Sequence, residues 1–113
     1  MERDKLFILA APFEDGPGKL WFCRDCAMIE GALLANPQWA EHVDVRRIPF
    51  PRPRPEVIAL LGDELQGLPV IVLAETSPAP DRVRRHEGRA YIKDASMITE
   101  YLSRTYGGAA PHP

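Results

Sequence analysis

Two cysteines, Cys23 and Cys26, bracket the dipeptide Arg24-Asp25, and the chain contains no others. A Cys-x-x-Cys placed where a strand turns into a helix lets two thiols meet with little backbone movement. The thiolate is the reactive form of cysteine, and the positive end of a helix favours it. Cys23, on the loop side, is the expected nucleophile. Cys26, inside the first helical turn, is the expected resolving thiol. Arg24 favours a thiolate at Cys23 and Asp25 opposes one, so the two charges offset and the helix N-terminus is the main bias. The competing reading is a vestigial pair on a fold reused for binding. Two cysteines leave a zinc site two ligands short, and His42, His86 and His112 lack ligand spacing, so no metal is expected.

The elements that must position this pair follow from hydrophobic patterning. Lys5 to Ala11 is a nearly continuous apolar run, too short for a helix and suited to a strand buried on both faces. Pro12 ends it. A loop with Gly16-Pro17-Gly18 follows, and Leu20-Trp21-Phe22 brings aromatic bulk up to Cys23. Met28, Ile29, Ala32 and Leu33 recur at helical spacing until Asn36-Pro37. Val43, Val45 and Ile48 mark a second strand. The segment Pro49 to Pro55 is a stiff connector, and Pro55 opens a helix with Val57, Ile58, Leu60 and Leu61 on its buried face and Gly62 at its stop.

Gly67-Leu68-Pro69 leads into a third strand, Val70 to Ala74. Glu75 to Gly88 reads as a polar loop and Arg89 to Lys93 as a fourth strand. Asp94 caps a last helix in which Met97, Ile98, Tyr101, Leu102 and Thr105 share a face, ended by Gly107-Gly108. The order is βαβαββα: an α/β domain with a four-stranded mixed sheet and helices on both faces. Its first three strands are expected to be parallel in part, with the fourth antiparallel to the third. Residues 1–108 form the domain, and 109–113 read as a disordered tail.

Composition narrows the function. At 113 residues the chain supports one core. A formal net charge of −2 gives no global field for nucleic acid or anionic membrane. No apolar run approaches the roughly 20 residues of a membrane span. The charged start Met1 to Lys5 is unlike a secretory signal, so a cytoplasmic protein is expected.

The element order, with Cys-x-x-Cys after the first strand and Leu68-Pro69 opening the third, resembles the thioredoxin-like fold in its compact, glutaredoxin-sized version, over residues 5–107. The resemblance implies that the Leu68–Pro69 bond is cis and lies against the cysteines, leaving the Leu68 backbone to pair with an extended thiol substrate. The segment Asp94-Ala95-Ser96-Met97-Ile98-Thr99-Glu100-Tyr101-Leu102 resembles the opening of the final helix in the thioredoxin-like half of glutathione transferases. There an acid and a serine meet glutathione. Here Ala95 stands at the serine position and Ser96 one step on, which implies weak glutathione binding, on the order of millimolar. The whole chain, with its Pro-His-Pro ending, resembles an uncharacterised bacterial family of small thioredoxin-like proteins.

The expected activity is thiol–disulfide exchange on an unidentified thiol or disulfide substrate. Cys23 and Cys26 are the catalytic pair; Leu68, Pro69, Trp21, Asp94 and Ser96 contact substrate. No cofactor is required, and glutathione is a candidate electron source. The alternative is a non-catalytic module that binds a peptide or a glutathione-like ligand. Trp21 and Phe22 fit a substrate rim or the core equally well. Asp94 is first a helix cap. Arg52 and Arg54 read as part of a stiff linker. Arg82, Arg84, Arg85 and Arg89 around His86 read as a solvated hairpin, with an anion contact as the sharper idea.

Overall fold

A computed structural model describes residues 2–113. The first apolar run is strand β1, Asp4–Leu9, buried everywhere except partly at Lys5. The short strands β2, Phe13–Glu14, and β3, Leu20–Trp21, pair antiparallel with each other apart from the main sheet. Helix α1, Arg24–Ala35, carries Cys26 and is followed by a 3-10 turn, Pro37–Glu41. Then come β4, Val43–Ile48; α2, Pro55–Leu61; β5, Val70–Val72; β6, Arg84–His86; β7, Arg89–Ile92; and α3, Ala95–Tyr106.

The main sheet is mixed and five-stranded, in the order β4-β1-β5-β7-β6. This corrects the four-stranded expectation. The added strand is β6, inside the segment read as a polar loop. Arg84-Arg85-His86 has no apolar alternation, so its pairing comes from a hairpin and not from burial. Glu87 and Gly88 both have positive φ, 49° and 84°, which bends the chain in the sense that matches strand twist. Arg85 then faces Ala90 across the ladder. The small β2–β3 hairpin was likewise unforeseen. Among the first three expected strands, β1 and β4 are parallel, but β5 runs antiparallel to β1. The fourth expected strand, β7, is antiparallel to β5 as anticipated.

Alternation along β1 divides the core. Leu6 and Ile8, with Ile71 and Ile92, pack against Ile29 of α1 and Ile98 and Leu102 of α3. Phe7, with Val70 and Val72, packs against Val57 and Leu61 of α2. Helices therefore cover both faces, as the patterning predicts. Met97, assigned to the buried face of α3, is instead exposed; Ala95 and Thr99 are buried in that helix.

The 3-10 turn buries Trp39 completely, and its indole Nε1 donates to the Gly107 carbonyl at 2.7 Å. Gly107 has φ of +78°, a conformation that closes α3 without the steric cost of a Cβ. Buried Asn36 accepts from the Ala109 N–H at 2.7 Å and donates to its carbonyl at 3.3 Å. The first residue of the expected tail is therefore tied to the end of α1.

Candidate functional site

Strand directions bring the chemistry to one end of the sheet. Leu9 ends β1 opposite Ile48, the end of parallel β4, so the loops after both strands leave from the same edge. β5 enters antiparallel, with Val70 opposite Phe7, which carries the preceding Leu68–Pro69 step to that edge. Asp94 and α3 begin there too, because Ile92 of β7 faces Ile71.

Cys23 is the N-cap of α1 in an extended conformation, and its Sγ accepts from the Cys26 N–H at 3.2 Å. A sulfur satisfies the unpaired donor that serine or aspartate usually meets at a helix start. One turn in, Cys26 is only 2% exposed, and its Sγ accepts from the Leu9 N–H at 3.3 Å. Both thiols are free, Cys23 partly exposed and Cys26 buried. Burial pushes the Cys26 thiol up to about 12; the neighbouring Cys23 thiol adds to this and the Leu9 N–H opposes it. The pair thus combines an accessible sulfur at a helix N-terminus with a proton-holding sulfur behind it.

The Leu68–Pro69 bond is cis, as expected, and so are Ala11–Pro12 and Arg52–Pro53. Leu68 packs against the hydrophobic cluster that also takes in Cys23 and Cys26, and Pro69 is buried. Trp21 and Phe22, which directly precede Cys23 in sequence, are 44% and 63% exposed, which places them outside the core. Lys19 Nζ sits 4.3 Å from the Trp21 ring centroid.

Asp94 accepts from the Met97 N–H at 2.9 Å and so caps α3; Ser96 beside it is exposed. Both line a groove of about 600 Å³ with Asp25, Met28, Arg82 and Arg84 among its other walls. The groove therefore joins the starts of α1 and α3 and passes Asp25 of the motif, but neither cysteine lines it. Two members of the arginine cluster, Arg82 and Arg84, turn out to face a concavity. Arg85 and Arg89 line a separate concavity, and Arg85 also donates to the Gly88 carbonyl within its hairpin.

The comparisons with known proteins divide sharply. A family model described as a protein of unknown function, DUF3088, matches residues 3–110. The chain belongs to the DUF3088 family. No curated protein and no solved structure matches it. The DUF3088 match takes in the cysteine pair, the Leu68–Pro69 step and the start of α3 together.

Arg54 is the residue that sequence reasoning missed. Read as part of a stiff linker with no assigned partner, it is 5% exposed and closes over the Phe50 and Gln66 carbonyls. Its type gave no warning, since arginine is seldom fully buried. Its own loop at Phe50 and the Gln66 segment beyond α2 close over it together.

Proposed function

We propose that this protein is a thiol–disulfide oxidoreductase of thioredoxin-like architecture. One observation carries the reading: Cys23 Sγ caps α1 at the surface, while Cys26 Sγ sits buried behind it against the Leu9 N–H. In the first step the Cys23 thiolate attacks one sulfur of a substrate disulfide. The substrate S–S bond breaks, the departing thiolate takes a proton from water, and a mixed disulfide remains on Cys23. Cys26 then gives up its proton to solvent and attacks Cys23 Sγ. The bond to substrate breaks, the second substrate thiol leaves, and the protein holds a Cys23–Cys26 disulfide. The substrate gains two electrons and the pair loses two; the reverse sequence oxidises a dithiol.

Support for substrate placement comes from the Leu68 backbone at the same sheet edge and from the exposed Trp21 and Phe22 beside the nucleophile. The test is the equilibrium of the pair against glutathione redox buffers. A single two-electron transition between roughly −200 and −320 mV is expected, the range in which cytosolic couples cycle. If no intramolecular disulfide forms at any buffer ratio, the reading fails.

The groove supports a second reading, a module that binds a peptide or glutathione-like ligand without turnover. Its walls offer carboxylates at Asp25 and Asp94 and guanidinium groups at Arg82 and Arg84, complementary to a zwitterion. Calorimetric titration of Cys23→Ser with glutathione separates the two. Millimolar or weaker binding favours the exchange reading, and micromolar affinity would make ligand capture by the groove the primary role.

A further inference from the structure

The two edges of the main sheet carry their cations differently. At β4, Arg46 pairs with Glu56 and Arg47 with Glu30, while Asp44 of the same strand meets Arg3. These are the ion pairs among the described residues, so none involves Arg82, Arg84 or Lys93 at the β6–β7 edge. Yet these three cations line one groove together. The hairpin register brings two of them there. Arg84 stands opposite Tyr91, and Lys93, two residues beyond Tyr91, shares its face. Arg82, with φ of +63°, turns in just before β6 and completes the set. Like charges gathered in this way repel one another, and no carboxylate within ion-pair distance offsets them. An anion seated among them does.

The same groove reaches the exchange site. Lys93 Nζ lies over Gly67, 3.3 Å from where a Cβ would stand, and Gly67 directly precedes Leu68–Pro69. Asp25, which stands between the two cysteines in sequence, is another of its walls. A groove of about 600 Å³ is roughly 10 Å across, about one Debye length at 0.1 M salt, so the field of its cations spans it. Its carboxylates are distributed differently from its cations. Asp25 and Asp94 enter from the helix starts, and Asp94 is already engaged by the Met97 N–H. Asp81, next to Arg82, is the one carboxylate on the hairpin side, against three cations. Charge is thus segregated by element, and the hairpin wall beside the Gly67–Leu68 step is the one that attracts an anion.

We propose that Lys93, with Arg84 and Arg82, determines specificity at this site by selecting disulfides that carry a carboxylate close to the reacting sulfur. The inference rests on the thiol–disulfide reading and names its substrate class. Cys23 attacks one sulfur of such a disulfide, the substrate S–S bond breaks, and the departing thiolate takes a proton from water. Cys26 loses its proton to solvent and attacks Cys23 Sγ, which releases the second substrate thiolate. The substrate gains two electrons and the cysteine pair loses two. The three cations take no part in these bonds. They hold the carboxylate and raise the rate of productive encounter.

The test oxidises the reduced full chain with three small disulfides of different charge: anionic 3,3′-dithiodipropionate, neutral bis(2-hydroxyethyl) disulfide and cationic cystamine. Acid quench, alkylation and mass spectrometry give the rate at which the Cys23–Cys26 bond forms. Intrinsic reactivity varies with the leaving thiol, so each rate is divided by that of dithiothreitol with the same disulfide. At about 10 mM salt the normalised rate is expected to be about fivefold or more higher for the anionic than for the neutral disulfide, and lowest for cystamine. At about 0.5 M salt these differences should shrink toward unity. Lys93→Glu is expected to bring the anionic rate down to the neutral one or below it, and Arg84→Glu to lower it several-fold, whereas Lys93→Arg keeps the preference. Both side chains are exposed, so substitution strands no buried group, and thermal melts establish that each variant is folded. A native chain without anionic preference at low salt overturns the proposal. So does a preference that survives intact in folded Lys93→Glu or at high salt. In each of those cases the exchange reading stands, provided the neutral disulfide still oxidises the pair. A native chain in which none of the three disulfides produces the Cys23–Cys26 bond brings down the exchange reading itself, and this inference with it.

Discussion

At the scale of single residues, the asymmetry between the two sulfurs is the most consequential feature. Cys26 is buried and beside Cys23, and its thiol holds its proton up to about pH 12. Cys23, at the helix cap and partly exposed, is the sulfur that reagents reach. Iodoacetamide at neutral pH should therefore label Cys23 in the Cys26→Ser variant and leave Cys26 nearly untouched in Cys23→Ser. That second variant removes one of the groups that raise the Cys26 thiol, yet burial, the largest cause, persists. Denaturing it should speed labelling by about a hundredfold or more, because the unfolded thiol returns to its ordinary range and is exposed. Equal labelling of both single-cysteine variants in the native state would remove the distinction between attacking and resolving thiols. Trp21 belongs to the same scale. Its exposure removes the core reading that sequence alone left open, although exposure does not by itself make it a substrate contact.

At the scale of elements, the starts of α1 and α3 do most of the positioning, by different chemistry. α1 uses a thiol as its cap, and α3 uses a carboxylate. The Asp94 cap satisfies a donor that would otherwise meet only water, so Asp94→Ala should destabilise the protein by about 1 kcal/mol in urea titration. Because Asp94 also lines the groove, Asp94→Asn gives a useful contrast. It keeps an acceptor for the Met97 N–H while removing the charge. Stability should stay within about 0.5 kcal/mol of the native chain in Asp94→Asn, whereas any affinity of the groove for a cationic ligand group should fall. A loss of stability in Asp94→Asn as large as in Asp94→Ala would show that charge near the helix N-terminus, not the hydrogen bond, is what the cap supplies.

At the scale of the whole molecule, the end of the sheet away from the cysteines is tied together by one side chain. Asp4 opens β1 and is 1% exposed. It accepts from the Ala74 N–H at 2.7 Å, from Ser77 Oγ, from Tyr101 Oη and from Tyr106 Oη at 2.8 Å. It thus joins β1, the segment after β5 and helix α3, which are far apart in sequence. Asp4→Ala strands these donors and should cost about 3 kcal/mol or more, measured as a loss of urea midpoint at unchanged slope. The same network sets an alkaline limit. Burial raises the Tyr101 phenol, and Asp4 raises it further; burial likewise raises the Cys26 thiol. A group raised in the folded state keeps its proton longer than it does unfolded, so its stabilising contribution is complete below its unfolded value and declines above it. For the Cys26 thiol that decline runs from about pH 9 to about 12. Melting temperature should therefore fall as pH rises from about 9 toward 12, and by less in Cys26→Ala. A flat profile across that range would mean that neither group stays protonated in the fold. No helix among the described residues is long and apolar enough to cross a membrane.

The sequence determined the parts whose cause is local. A short continuous apolar run placed β1 to within two residues, and apolar patterning placed β4, α1, α2 and α3, because burial of apolar side chains is what each element must achieve. Pro55, Gly62, Asp94 and Gly107 marked ends for reasons internal to their own turns. Cys23 and Cys26 were legible because their spacing puts both in one helical turn. Other features depend on partners that no local pattern reveals. β6 is polar throughout and exists because β7 pairs with it across a two-residue turn. The direction of β5 against β1, which brings Leu68 to the cysteine end, is a property of the sheet as a whole. The burial of Arg54 is the sharpest case. Its neighbours in sequence are prolines and another arginine, which read locally as a stiff linker. Only the closing of the Phe50 and Gln66 segments around it excludes water and leaves its charge inside. Tertiary structure decided that, because burial is set by what packs over a residue and not by its type.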